Sequence, residues 1–390
     1  MQLPDADFAY RLCRNLADAG HTVHVLCQKG AIAGDVPRLH THPIMEQWNW
    51  QETVPLARTL RRLKPEATLL VYTGNAFDHR PMLTFAATLA KRVLPHTRFV
   101  TLIPFPLGAR LSTGKKGHLH KLLLKMLGQG TNVEYGTLLR DSAHVVVMSL
   151  RHLPALESHL PRLQDKVTLI PPALIMPMAL DTCETRSRMR EALHVADDEF
   201  LFAYFGYLYA TKGLETLLPA LHILRQRNQK VKLMFVGGGD QTKDDGYQYV
   251  AELKRTIDTL QLTDAVQFTG GFAWDSDLGS QYLRAADAAV LPFDAGVSLN
   301  NSSFASVVTH GLPTITTQGD ILEAPLKHAQ NVFLCRPQDP DDLADALETV
   351  AGNTSLRQQL QSGARQLAGE CFSWDAATTR YVSVLAGEKQ

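Results

Sequence analysis

Short apolar strands alternate with amphipathic helices along nearly the whole chain, which restricts it to parallel-sheet α/β architectures. The first periodic segment places Phe8, Leu12, Leu16 and Ala19 on one helix face, with Gly20 where a C-terminal cap belongs. A strand over residues 21–27 follows, then strands over 68–72, 98–103, 144–148 and 167–170, separated by helices over 82–93, 119–127, 133–140 and 153–160. Pro171, Pro172 and Pro177 interrupt the pattern, a polar helix over 185–193 leads onward, and a second series opens at Phe200. Its strands fall at 200–205, 232–236, 266–268, 288–292 and 314–317, with helices between them. The expected domains are 1–175, 176–375, and a C-terminal helix over 376–390 that returns to the first: two doubly wound halves facing a cleft. A chain of 390 residues suits two such domains.

Composition removes several function classes. With 45% apolar and 20% charged residues the chain reads as globular, neither disordered nor fibrous. No apolar run approaches the roughly 18–20 residues that cross a bilayer, and Asp5, Asp7, Arg11, Arg14 and Asp18 do not read as a signal peptide. The five cysteines, Cys13, Cys27, Cys183, Cys335 and Cys371, are far apart and form no C-x-x-C pair, which suits a reducing cytoplasmic compartment. Basic and acidic residues balance at 39 each, but splitting after Leu180 gives 21 − 12 = +9 and 18 − 27 = −9. That asymmetry suits two units with different partners, the basic one meeting an anionic substrate or surface; nucleic acid is not among the expected partners.

Three segments of the second half carry chemistry. The run from Phe205 through Gly206, Tyr207, Lys212 and Gly213 is a strand ending in glycine, a short loop and a helix start. A helix N-terminus has unpaired N–H groups and about half a positive charge, so a lysine there is out of place unless an anion joins it. Lys212 therefore reads either as a solvated turn residue or as a phosphate ligand. Gly237 and Gly238 open a triple glycine after a buried strand, which lets a ligand or another backbone come close. The strand ending at Pro292 is followed by a loop through Ser298 and a helix capped by Ser302 or Ser303, whose free amides make a second anion site.

In order and spacing, these segments resemble the retaining glycosyltransferases of family 4, which have the GT-B fold of two Rossmann-like domains. The resemblance runs through the Gly206–Gly213 loop, the Val236–Gly239 turn, the Phe268–Phe272 turn, Ala285-Ala286-Asp287 with its strand, His310-Gly311-Leu312-Pro313 and Phe372-Ser373-Trp374. It implies that Lys212 neutralises a donor diphosphate and that Gly206, Tyr207, Gly213, Ser298, Ser302, Ser303 and Ser306 surround the diphosphate and sugar. It implies too that Gly237, Gly238, Gly270 and Phe272 line the nucleotide pocket. The chain departs from the family pattern where two glutamates stand eight positions apart, here Ser298 and Ser306. The family arginine falls at Tyr207 and the first-domain histidine at Ile103, so no catalytic residue is assigned. The implied activity is transfer of a sugar from a nucleotide-diphosphate donor to a glycan or lipid-linked acceptor with retention, without a cofactor and with protein groups rather than a required metal meeting the diphosphate charge. A catalytically idle relative acting as a partner subunit, and a sugar-nucleotide epimerase, are the alternatives.

Other groups have plainer readings. Asp275 and Asp277 precede a helix and read as caps rather than metal ligands. The pairs His40/His42 and His118/His120 read as solvated loop residues. The segment 114–127 sets Lys115, Lys116, Lys121 and Lys125 against a leucine face; it is either an ordinary surface helix or one that lies on an anionic membrane, the inner face of the plasma membrane in a peripheral enzyme. Only Met1–Pro4 precede the first helix, so the first domain is expected to lack its first strand, and the natural protein to begin upstream.

Overall fold

The computed structural model describes residues 4–31, 36–74, 77, 80–106, 131, 134–238, 244–273 and 275–388. Contacts divide the chain into two compact units, Met1–Pro172 with Trp374–Gln390, and Ala173–Ser373. Among the described residues no helix is long and apolar enough to cross a membrane.

The first unit opens with α1 (Pro4–Asp18), which buries Phe8, Leu12 and Leu16, with Ala17 in place of the expected Ala19. Next, β1 (Val23–Gln28) pairs in parallel with β2 (Leu39–Met45), and α2 (Thr53–Leu63) leads to β3 (Ala67–Val71). Both β2 and α2 escape the sequence reading because their signals are weak. Pro43 and two histidines interrupt the apolar alternation of β2, and Pro55 lies in the first turn of α2, where its ring is tolerated. After α3 (Pro81–Thr84) and α4 (Ala86–Val93) come β4 (Arg98–Ile103), α5 (Leu138–Asp141), β5 (His144–Val147), α6 (Leu153–Glu157) and β6 (Val167–Leu169). The sheet order is β3-β4-β5-β6, apart from β1-β2. The first unit thus holds two separate parallel sheets, one of two strands and one of four.

His40 and His42 lie on β2 rather than in a loop. His42 Nε2 is 3.0 Å from His24 Nδ1, and the His24 and His40 rings stack at 5.0 Å. Burial comes first in holding both His24 and His42 below the usual imidazole range, followed by His42, His40 and Arg62 for His24 and by Arg62 and His40 for His42. Among the described residues no cluster of His, Cys, Asp and Glu is suited to a metal ion. His118, His120 and the basic segment with Lys115, Lys116, Lys121 and Lys125 lie outside the described residues.

The second unit begins with the segment from Ala173 and α7 (Cys183–Ala192). The strand β7 (Phe200–Phe205) is followed by α8 (Leu214–Gln226), β8 (Val231–Val236), α9 (Asp244–Thr259), β9 (Val266–Phe268) and α10 (Leu278–Ala285). Then come β10 (Ala288–Leu291), α11 (Ser302–Thr309), β11 (Thr314–Thr317), β12 (Phe333–Cys335), α12 (Pro340–Gly352) and α13 (Thr354–Leu367). The six strands are parallel in the order β12-β11-β10-β7-β8-β9. The chain reverses its winding between β7 and β10, and a doubly wound sheet opens its ligand crevice at such a point. Near-continuous apolar runs such as Phe200–Phe205 suit strands covered on both faces. Last, α14 (Trp374–Ala386) returns to the first unit, where it packs on α1, β3 and β4, with Trp374 against Phe8.

Candidate functional site

Glycines bring four chain segments of the second unit together at the carboxyl ends of β7, β8, β9 and β10. Gly206 ends β7 at φ +131°, and a Cβ there would overlap the Ser303 hydroxyl. Gly237 ends β8 at φ +125°, and a Cβ there would overlap the Gly206 carbonyl. Hydrogen bonds fasten the same segments: Leu208 N–H donates to the Gly238 carbonyl at 3.1 Å, and Gly237 N–H to Thr269 Oγ1 at 3.1 Å. Gly237 also bridges to Gly270, so Gly206, Gly237, Gly270 and Ser303 belong to one constellation. Phe272 packs beside Phe205 and against Gly279.

The loop after Gly206 carries the lysine. Tyr207 is 64% exposed and contributes its carbonyl to the buried Tyr204 hydroxyl, which donates at 3.1 Å. Thr211 and Gly213 are both left-handed, and Gly213 sits against the Pro292 carbonyl with no room for a Cβ. This turn places Lys212 Nζ between two rings, 4.9 Å from the centre of Tyr209 and 5.0 Å from that of Phe293. Among the described residues no carboxylate forms an ion pair with it. Burial, then the nearby Glu215, raises the Asp294 carboxyl above its usual range, against a hydrogen bond from Gln338.

The loop before α11 is closed on itself. Val297 N–H donates to Thr317 O, Ser298 N–H to Asn301 Oδ1, Leu299 N–H to the buried Glu323 carboxylate, and Asn301 N–H to Ser298 O, at 2.7–3.0 Å. The helix begins one residue earlier than expected: Asn301 is the cap position, and Ser302 and Ser303 are its first two residues. The Asn301 side chain makes no bond to the helix amides. Those of Ser302, Ser303 and Phe304 therefore meet no acceptor among the described residues, and the hydroxyl of Ser303, a residue 7% exposed, meets none either. The Ser306 hydroxyl turns into its own helix, donating to Ser302 O at 2.8 Å, and the Ser298 hydroxyl accepts Asn300 N–H at 3.3 Å.

Taken together, a half-buried lysine, an uncapped helix N-terminus and glycines with no room for a Cβ form one constellation of groups of the kind that meet anions. Residues 185–367, which carry all of it, match the family described as glycosyl transferases group 1. The second unit is a group 1 glycosyltransferase domain. The chain is 25% identical over 228 residues to D-inositol 3-phosphate glycosyltransferase of Jonesia denitrificans, covering 56% of this chain and 51% of that one. It spans about half the length of the curated relatives it matches. Its fold is that of a glycosyltransferase from Rickettsia africae, with a TM-score of 0.70 at 14% identity, covering 98% of this chain and 94% of that one. HepE of Anabaena, crystallised with UDP-glucose, gives a TM-score of 0.67 at 17% identity, covering 99% and 97%.

Several residues of this glycosyltransferase domain were not legible from sequence: Tyr209 and Phe293 around the lysine, Glu323 beneath the loop, and Asn301. Asp277 stands at the cap position of α10 but bonds the Gln281 side chain, and Ser276 takes the Leu278 amide instead. Behind α11, His310 is 5% exposed. Its Nδ1–H donates to Ser306 O at 2.7 Å, so Nε2 accepts the Ser280 hydroxyl at 2.6 Å, and Ser280 in turn accepts Ala179 N–H. Burial lowers the His310 pKa to about 4, which keeps the imidazole neutral. With the folded value below the unfolded one, this contribution is complete above pH 6.5 and is lost as pH falls towards 4, a change of about 3 kcal/mol. Urea unfolding across that window is expected to show a shallower pH slope in His310→Gln than in the unmodified protein; equal slopes would refute it.

Proposed function

We propose that the protein transfers a sugar from a nucleotide-diphosphate donor to a glycan or lipid-linked acceptor, with retention, the donor held by the second unit and the acceptor by the first. The observation that carries this reading is the contact of Gly206 with Ser303, which brings the Lys212 loop and the open amides of Ser302–Phe304 to one place. The diphosphate gains negative charge as the glycosidic bond breaks. Lys212 leaves its two rings to meet that charge, and helix amides fixed in advance stabilise it without reorganising. Gly237, Gly238, Gly270 and Phe272 flank the same place and line the nucleotide pocket. UDP-glucose, the ligand of HepE, is the first donor to try.

Lys212→Ala is expected to weaken nucleoside-diphosphate binding tenfold to more than a hundredfold, since a charge-assisted hydrogen bond contributes roughly 1.5–3 kcal/mol. Calorimetry with UDP and GDP checks it; unchanged affinity would remove the diphosphate from this loop. The rival reading is an idle relative that binds donor without turning it over, favoured by Ser298 and Ser306 where the family carries carboxylates, both hydroxyls being engaged within the protein. A panel of nucleotide sugars separates the two. Release of nucleoside diphosphate, by slow hydrolysis or transfer, supports the enzyme; tight binding with no release over hours supports the idle relative.

A further inference from the structure

Asparagine at a helix cap position ordinarily turns its side chain onto the amide of the second or third helical residue, which satisfies that donor and closes the helix end. Asn301 does not. Its Oδ1 accepts the Ser298 amide at 2.7 Å instead, in the loop behind it. Two consequences are visible. Among the described residues the amides of Ser302, Ser303 and Phe304 have no acceptor, and the hydroxyl of Ser303, a residue 7% exposed that lies against Gly206, has no partner. Unpaired amides beside an unpaired hydroxyl at a helix N-terminus are donors that an acceptor-rich group can complete.

We propose that Asn301 is a positioning residue that keeps the α11 amides open for the donor diphosphate by engaging its own cap group elsewhere. The proposal rests on the donor reading above, and goes beyond it in assigning the open helix end to one side chain. Serine or threonine at 301 can cap the helix, so its oxygen competes with a phosphate oxygen for the amide of Phe304. Alanine at 301 removes the Ser298 bond but supplies no cap, so the amides stay open in a less stable loop. Ligand affinity and stability therefore run in opposite directions in the two kinds of variant.

The test is calorimetric titration of the full chain and of Asn301→Ser, Asn301→Thr, Asn301→Ala and Lys212→Ala with UDP and with GDP, beside thermal unfolding of each. The expected result is that Asn301→Ser and Asn301→Thr unfold at or above the midpoint of Asn301→Ala yet bind at least fivefold more weakly than it does. A residue that only holds the loop together would give the reverse order, with affinity following stability, and that result overturns the proposal while the donor reading stands. If Asn301→Ala does not fold, the capping variants are compared with the unmodified protein. Fivefold weaker binding with an unfolding midpoint no lower than the unmodified protein's supports the proposal, and equal binding overturns it. If Lys212→Ala binds both nucleotides as tightly as the unmodified protein, the donor reading falls and takes the role of Asn301 with it.

Discussion

Gly213→Ala is expected to destabilise the second unit by about 2–5 kcal/mol, lowering its unfolding midpoint by roughly 4–20 °C, and to abolish nucleotide binding at the same time. Two separate effects add at this position. A side chain at φ +73° carries the left-handed penalty of about 1–2 kcal/mol, and the new Cβ overlaps the Pro292 carbonyl, a backbone atom that cannot swing away. Relief requires the Lys212 turn to lift from the end of β10, which carries the ammonium away from Phe293 and from the helix end. Gly270 supplies the control, since it has the same φ of +73° but nothing within 4 Å of its absent Cβ. Gly270→Ala should show the left-handed penalty alone, about 1–2 kcal/mol. Equal losses in the two variants, by calorimetric scanning, would mean that the Pro292 contact has no energetic weight.

The second large effect is expected at Asp287. Its carboxylate pairs with Arg186 at 2.6 Å and Arg190 at 3.0 Å and accepts the Leu201 amide at 2.8 Å, which ties α7 to β7 at the amino end of the sheet. The Arg190 side chain is 11% exposed, so removing the carboxylate strands a nearly buried cation and a strand amide. Breaking a buried pair from one side costs about 3–5 kcal/mol, and the carboxylate's 22% exposure places Asp287→Ala near the lower end. Asp287→Asn keeps an acceptor for Leu201 and should recover part of the loss. Urea unfolding measures both; a loss below about 1 kcal/mol in the alanine variant would show that Arg186 and Arg190 are held by their backbone carbonyl partners alone.

The two larger parallel sheets and the glycines of the site were legible because each depends on local pattern: unbroken apolar runs for the central strands, and glycine where a turn needs positive φ or close backbone approach. Gly206, Gly213, Gly237 and Gly270 all prove to have positive φ. What escaped depends on neighbours distant in sequence. Nothing near Asn301 reveals that its side chain faces Ser298, nothing near Glu323 reveals the Leu299 amide, and no local signal pairs Tyr209 with Phe293 across Lys212. Ser298 and Ser306, read as donor ligands from their place in the family pattern, turn out to have their hydroxyls engaged within the protein, since a serine on a helix or in a tight turn readily finds a backbone partner. The β2 and α2 pair shows the converse, elements made by tertiary pairing from segments whose own periodicity is poor.

A crystal structure of the protein with UDP bound decides whether the donor diphosphate sits at the α11 amides. The expected result is β-phosphate oxygens within about 3 Å of the amides of Ser302, Ser303 and Phe304, with Lys212 Nζ withdrawn from Tyr209 and Phe293 to meet them. A nucleotide bound elsewhere, or one bound here with Lys212 still between its two rings and the α11 amides unoccupied, would contradict it.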